Sequence, residues 1–336
     1  MAQISVAVLG AGSWGTTVAH LAAHNAPTVL WARDPDIASA VNTTGTNPRY
    51  LPGFALHDSL RATADLAEAV GSADVVVMGV PSAAFRPTLQ LVAPLVRAWV
   101  PVVSLTKGLE HPSGVRMTEI IDAELPGHPY GVLTGPNLAK EILAGEPTAS
   151  VLAMSDDNVA DALQEVFGGP MFRVFTNPDI VGCELGGALK NVMAIAAGIA
   201  DGLGGGDNTR ATIITRGLAE MTRLGVALGG QPLSFAGLAG MGDLIATCVS
   251  PQSRNRYVGE QLGRGLGLDD IAASMDQVAE GVKSAPMVLD LAGRHGVAMP
   301  IAEQVHAVCH LGRSVDEAYQ ALLHRRPGPE LFGIAT

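Results

Sequence analysis

Between Glu184 and Asp201 the chain carries one charged side chain, Lys190, in Glu-Leu-Gly-Gly-Ala-Leu-Lys-Asn-Val-Met-Ala-Ile-Ala-Ala-Gly-Ile-Ala-Asp. The apolar residues fall on most faces of a 3.6-residue period, which predicts a helix buried nearly all round. An ammonium in such surroundings is costly without a partner, and desolvation favours its neutral form. A lysine that switches between the two forms near neutral pH can carry a proton in a reaction. The alternative is a lysine whose stem packs while its head snorkels to water. Of 21 lysines and arginines only Lys107, Lys140, Lys190 and Lys283 are lysines. A compact titratable amine is therefore the exception in this chain, and guanidinium cannot replace it.

Three further clusters could assist such an amine. Gly240-Met-Gly-Asp243-Leu-Ile-Ala-Thr247 sets a carboxylate after a glycine turn, with Thr247 four residues on along the same helical face. Asp243 either caps that helix or pairs with Lys190 and orients it. Ser253-Arg254-Asn255-Arg256 opens another predicted helix, and a guanidinium beside an amide at a helix start can clamp a phosphate or carboxylate; a solvated helix start is the plain reading. Gln277-Val278-Ala-Glu280-Gly281 offers a loop carboxylate that could meet a ribose. The nine histidines read as scattered, and no metal site is expected.

The elements that must position these groups fall into two halves. Apolar β runs at 4–10, 28–31, 75–80, 100–105, 131–133, 149–153 and 173–175 alternate with helical stretches at 14–24, 65–70, 89–99, 115–124 and 158–167. That alternation predicts a doubly wound, Rossmann-type α/β sheet over residues 1–180. Beyond it helices are predicted at 184–202, 209–228, 253–263, 269–273, 285–293, 301–311 and 314–323, so residues 181–336 form an all-α domain.

Gly10-Ala-Gly12-Ser13-Trp14-Gly15 follows the first strand and opens the first helix. The bare pattern is weak, but in this strand–turn–helix setting it marks a dinucleotide site. Gly10 makes the turn, Gly12 admits the pyrophosphate and Gly15 lets helix meet strand. Strand two ends in Arg33-Asp34. Arg33 could pair with a 2′-phosphate and Asp34 could bind ribose hydroxyls, so NADP(H) is preferred with NAD(H) also accepted. Val80-Pro-Ser, Leu105-Thr-Lys107-Gly and Leu133-Thr-Gly135-Pro-Asn137 end three later strands, at the edge where such sheets bind ligands.

The totals set outer limits. A length of 336 residues suits two domains, and a formal net charge of −11 argues against nucleic acid as a partner. Three dispersed cysteines (Cys183, Cys248 and Cys309) suit reduced thiols in the cytoplasm. The start reads as a strand rather than a signal peptide, and no membrane span is expected.

Together these pieces resemble one family, bacterial NAD(P)-dependent sn-glycerol-3-phosphate dehydrogenase, over nearly the whole chain. The resemblance lies in Gly10-Ala-Gly-Ser-Trp-Gly15, Tyr50-Leu-Pro, Lys107-Gly-Leu-Glu110, Gly135-Pro-Asn-Leu-Ala139, Glu184-Leu-Gly-Gly-Ala-Leu-Lys-Asn191, Asp207-Asn-Thr-Arg-Ala211, Thr215-Arg-Gly-Leu-Ala-Glu220, Ser253-Arg-Asn-Arg256 and Val278-Ala-Glu-Gly281. It implies that Ser13, Trp14, Arg33, Lys107, Ala139, Arg254, Val278 and Glu280 line the NADPH site. It further implies that Lys107, Gly135, Asn137, Lys190, Asp243, Ser253, Arg254 and Asn255 hold glycerol phosphate, with Lys190 as proton acceptor. Asn137 and Leu138 depart from the family pattern, which has a small hydroxyl residue and an aromatic there.

The implied reaction is reversible reduction of dihydroxyacetone phosphate to sn-glycerol 3-phosphate, for glycerophospholipid synthesis. Lys190, Asp243 and Lys107 are the expected catalytic groups, with Thr247 beside the substrate. A homodimer is the expected assembly, and Lys190→Met is expected to leave fold and cofactor binding nearly intact. A β-hydroxyacid or 6-phosphogluconate-type dehydrogenase is the rival enzyme, and a non-catalytic NADP(H) sensor the rival of another class.

Overall fold

In the computed structural model, which describes residues 4–275, 279–326 and 328, the apolar runs of the first half become one mixed sheet. The chain divides into two units, Met1–Glu110 with Val115–Ile180, and His111–Gly114 with Val181–Thr336.

Unit one begins β1 (Val6–Leu9), α1 (Ser13–Ala23), β2 (Thr28–Trp31), α2 (Pro35–Thr44), β3 (Thr46–Asn47), β4 (Leu51–Ala55), β5 (Arg61–Thr63) and α3 (Leu66–Val70). It continues β6 (Val75–Met78), α4 (Ser82–Val92), β7 (Val102–Ser104), α5 (Met117–Glu124), β8 (Tyr130–Thr134), α6 (Ala139–Leu143), β9 (Thr148–Met154), α7 (Asp157–Phe167) and β10 (Phe172–Asn177). Eight strands pair in the order β10-β9-β8-β7-β6-β1-β2-β5. Every pairing is parallel except β8 with β9, which is antiparallel. Alternate residues of the central strands feed two cores: Val6, Val8, Val75 and Val77 pack with α1 and α7, while Ala7, Leu9, Val76 and Met78 pack with α3, α4 and α5. Burial on both faces is what makes β1 and β6 uninterrupted apolar runs.

The expected helix over 89–99 is misplaced. The helix is α4, Ser82–Val92, with Pro87 inside it. The stripe Phe85, Leu89, Val92 buries completely in the second core, and that burial outweighs the hydrogen bond proline removes. Trp99 is instead 76% exposed. α2, the β3–β4 hairpin, β5 and α6 were not anticipated; each is short or mostly polar, so its period is faint.

Unit two is helical: α8 (Ile180–Gly202), α9 (Asp207–Ala227), α10 (Pro232–Ala236), a π-helical turn at Leu238–Gly242, α11 (Asp243–Val249) and α12 (Arg254–Gly263). α13 (Leu268–Ala273), α14 (Glu280–Arg294), α15 (Pro300–His310) and α16 (Val315–Leu323) complete it. α8 is long and apolar enough to cross a membrane, contrary to the expectation that no run reaches that length, but 89% of its apolar window is buried inside the protein. Its residues from Gly182 to Gly198 are buried without interruption.

Glu220 on α9 is buried and accepts hydrogen bonds from the Ile301 and Ala302 amides at the start of α15 (2.8 and 3.3 Å). Burial pushes its pKa up to about 7, against the pull of those two amides.

The histidines are not scattered. His20 and His24 stand four apart at the end of α1 and meet His57, with ring centroids 4.2–6.4 Å apart. His306 and His310 stack at 5.2 Å on α15. The His57 amide donates to His20 Nδ1 (3.0 Å), so neutral His20 carries its proton on Nε2, which lies 3.4 Å from His24 Nε2. A ring nitrogen that already carries a proton has no lone pair for a metal, and among the described residues no group of three or more metal-ligating side chains forms.

Candidate functional site

In unit one the glycine-rich turn joins β1 to α1 as the sequence requires. Gly10 has φ +114°, and a Cβ there would lie 2.7 Å from the Gly79 carbonyl oxygen. A Cβ on Gly15 would lie 2.0 Å from the Gly10 carbonyl oxygen, so the first turn of α1 rests directly on the backbone behind it. Gly12 is different: a Cβ there meets nothing within 4 Å. The turn therefore borders open space at the N-terminus of α1, whose N-cap has no side chain to satisfy the first amides. The Ser13 hydroxyl donates to the Tyr50 carbonyl (3.1 Å), and the buried Trp14 Nε1 has no partner among the described residues.

At the end of β2, Arg33 is exposed and Asp34 is committed elsewhere. The Asp34 carboxylate caps α2 by accepting from the Asp36 amide (3.0 Å) and also faces Arg49 (3.6 Å). Beyond β7, Lys107 Nζ donates to the Gly135 carbonyl (2.8 Å) beyond β8, so Lys107 and Gly135 do come together. Asn137 joins them. Its Nδ2 donates to Ser150 Oγ (3.1 Å), which itself donates to the Thr134 carbonyl (2.8 Å). That chain fixes the amide's orientation and leaves Asn137 Oδ1 buried with no partner among the described residues. Ala139 is the half-buried first residue of α6. Glu110, at the end of the Lys107 segment, is held by Arg86, whose guanidinium also bonds Glu124.

In unit two Lys190 is 5% exposed, and its surroundings answer the question the sequence raised. Nζ donates to Thr247 Oγ1 (2.6 Å) and pairs with Asp243 Oδ1 (3.3 Å). Thr247 Oγ1 donates to the Asp243 carbonyl (2.6 Å), so its lone pair is what receives the ammonium proton. Asp243 and Thr247 are 2% and 8% exposed. The backbone makes this geometry available: a Cβ on Gly186 of α8 would stand 2.6 Å from the Ala239 carbonyl oxygen in the π-helical turn. Glycine there lets the turn settle on α8 and start α11 over Lys190, a use of the π-turn typical of functional sites. An ammonium has three N–H groups and two are used here, so one remains to meet a ligand. Burial pushes the neighbouring Cys248 thiol up to about 12, so it stays a thiol; Lys190 only partly offsets that.

The second cluster sits at the start of α12. Ser253 caps the helix through the Arg256 amide (3.2 Å), and Arg254 is exposed with Glu280 acting on it electrostatically. Asn255 spans three helices: Nδ2 donates to Asn191 Oδ1 (2.9 Å) and Oδ1 accepts from the Gly281 amide (2.9 Å). Asn191 is a site residue that the sequence does not single out by type; its adjacency to Lys190 is the available signal. Val278 lies outside the described residues.

Residues 5–160 match the NAD-dependent glycerol-3-phosphate dehydrogenase N-terminus and residues 179–320 its C-terminus. The chain is 58% identical over 328 residues to glycerol-3-phosphate dehydrogenase (NAD(P)+) 2 of Sphingopyxis alaskensis, covering 98% of each. It is 53% identical over 334 residues to glycerol-3-phosphate dehydrogenase (NAD(P)+) of Mycobacterium avium, covering 99% of this chain and 98% of that one. Among solved structures, glycerol-3-phosphate dehydrogenase of Coxiella burnetii superposes with a TM-score of 0.91 at 39% identity, covering 96% of this chain and 99% of that one.

Proposed function

The chain belongs to the NAD-dependent glycerol-3-phosphate dehydrogenase family, and on that premise we propose that it catalyses the reversible reduction of dihydroxyacetone phosphate to sn-glycerol 3-phosphate, for glycerophospholipid synthesis. The buried set Lys190, Asp243 and Thr247 carries this reading. A protein that only sensed NADP(H) needs no amine held in this way, and a hydroxyacid dehydrogenase is not favoured by relatives of this identity.

The residues of unit one fit a dinucleotide. Open space beside Gly12, uncapped amides at the start of α1 and the unpartnered Trp14 indole suit a pyrophosphate and the groups next to it. Gly10, Gly12, Ser13, Trp14, Gly15, Arg33, Lys107 and Ala139 would hold it there. A bound nicotinamide supplies the hydride that adds to C2 of the ketone.

Lys190 manages the matching proton. Its remaining N–H donates to the C2 carbonyl oxygen as negative charge develops there, then passes the proton and becomes a neutral amine. Alcohol oxidation runs the same transfer backwards. Asp243 and Thr247 hold Nζ in place, so the amine meets its target without reorganising. In the same unit as Lys190, Ser253, Arg254 and Asn255 take the phosphate.

NADP(H) is the preferred cofactor, because Asp34 is engaged by α2 and Arg49 while Arg33 is exposed. A homodimer in the cytoplasm completes the proposal; exposed Leu233, Ile245 and Val249 (83, 43 and 50%) supply apolar surface for the contact. Initial rates with dihydroxyacetone phosphate, using NADPH and then NADH, test both reaction and preference. Turnover of hydroxyacids but not of this ketone would refute the reaction, and faster use of NADH would refute the preference.

A further inference from the structure

α8 and α12 touch through their backbones. A Cβ on Gly198 would fall 2.0 Å from the Arg256 carbonyl oxygen, and one on Gly202 2.3 Å from that of Glu260. From the other side, a Cβ on Gly259 would fall 2.0 Å from the Ile195 carbonyl oxygen, and one on Gly263 2.4 Å from that of Ile199. The contacts advance along both helices together, so α8 and α12 run parallel on a seam of four glycines. Any side chain at these positions would force the helices apart.

A buried ion pair locks the seam. The Asp201 side chain is 6% exposed at the end of α8. Its Oδ2 accepts from Arg256 Nε (2.8 Å) and faces Arg256 Nη2 (2.8 Å), while Oδ1 accepts from Arg210 Nε and Nη2 (3.1 and 2.9 Å). Arg256 Nη1 faces Glu260 Oε2 (3.3 Å), so all three guanidinium nitrogens of Arg256 are engaged within the protein. Of the two arginines in Ser253-Arg254-Asn255-Arg256, Arg256 is thus taken up by its own helix and α8.

We propose that Asp201 is a positioning residue for substrate phosphate, acting through Arg256 to set the first turn of α12 against the helix that carries Lys190. This rests on the reading that Ser253, Arg254 and Asn255 take the phosphate. α12 is fastened to α8 at two points, Asn255 to Asn191 beside Lys190 and Arg256 to Asp201, about 15 Å further along the helix by its rise per residue. The glycine seam between them prevents sliding. Two fastenings and a rigid seam hold Arg254 at a constant distance from the amine, and loosening that hold weakens phosphate binding, tenfold for each ~1.4 kcal/mol lost.

The test compares Asp201→Asn and Arg256→Lys with the unaltered enzyme. The readouts are kcat, the KM for dihydroxyacetone phosphate, the KM for NADPH, and competitive inhibition by inorganic phosphate. Positioning predicts that the ketone KM and the phosphate inhibition constant rise together, by about 10- to 100-fold, with kcat and the NADPH KM barely changed. A fold defect would lower kcat or the active fraction without that split. Arg254→Ala separates the premise from the inference. If it weakens phosphate binding and the two folded variants do not, Asp201 has no positioning role. If Arg254→Ala also leaves phosphate binding unchanged, the phosphate reading fails and takes the proposal with it. Removing Asp201 leaves two guanidinium groups short of a partner, so Arg256→Lys, which keeps the charge, decides if Asp201→Asn does not fold. Should neither fold, the pair is a stability element and the proposal is overturned.

Discussion

Replacing Lys190 by methionine tests the mechanism most directly, and its consequences can be worked from the geometry. Methionine keeps the unbranched stem but removes the donor to Thr247 and the charge 3.3 Å from Asp243. At that separation and an effective dielectric of 20 the lost attraction is about 5 kcal/mol, near the roughly 3–5 kcal/mol found when a buried pair loses one member. Near-intact folding, the expectation from sequence alone, therefore does not hold once Asp243 is seen to be buried. Lys190→Met should lower the unfolding free energy by a few kcal/mol. The double variant Lys190→Met/Asp243→Asn should recover much of that, because no charge is then left without its partner. Turnover should behave differently. Loss of the proton donor should reduce kcat by roughly 10²- to 10⁴-fold in both variants, a barrier increase of about 3–5 kcal/mol, with NADPH affinity retained. Steady-state NADPH oxidation, denaturant titration and NADPH binding separate the effects, and methylamine should partly rescue Lys190→Ala. Near-normal turnover in either methionine variant would refute proton transfer by Lys190.

Other outcomes follow from the same coordinates. Gly12→Ala should fold normally, since its Cβ meets nothing within 4 Å among the described residues, yet raise the KM for NADPH about tenfold by intruding where a phosphate approaches; an unchanged KM would remove Gly12 from the cofactor site. Arg33→Ser should lower the NADPH-to-NADH ratio of kcat/KM by about tenfold, and an unaltered ratio would place the selectivity elsewhere. Glu220 has a folded pKa raised from 4.5 to about 7, so its contribution to stability is complete below the lower value and fades as pH rises through the upper one. That shift amounts to roughly 3 kcal/mol, and Glu220→Gln should flatten this part of the thermal-melting profile. His20 acts in the opposite sense: burial first, then His24 and His57, lower its pKa from 6.5 to about 4. Its contribution is complete above 6.5 and fades as pH falls toward 4, so His20→Gln should reduce acid sensitivity in melting experiments.

Local patterns carried the fold class and the principal residues. The apolar runs of β1 and β6, the glycines at 10, 12 and 15 and the isolated Lys190 are signals contained within a few residues, because burial on two faces, a tight turn and a desolvated charge each constrain the chain where they occur. Tertiary structure decided what depends on partners far apart in the chain. Pro87 and Pro286 lie inside helices that the sequence reading started after them or cut short, since burial of Phe85 and Leu89, or of Met287 and Val288, exceeds a local preference. Thr247, expected beside the substrate, accepts a hydrogen bond from Lys190, while Arg256, to which the sequence assigned no role of its own, is taken up by Asp201 and Glu260. Which carboxylate meets which cation is set by helix packing through glycines such as Gly186 and Gly259, where the absence of a side chain brings two backbones together. Residue order alone does not contain that distance.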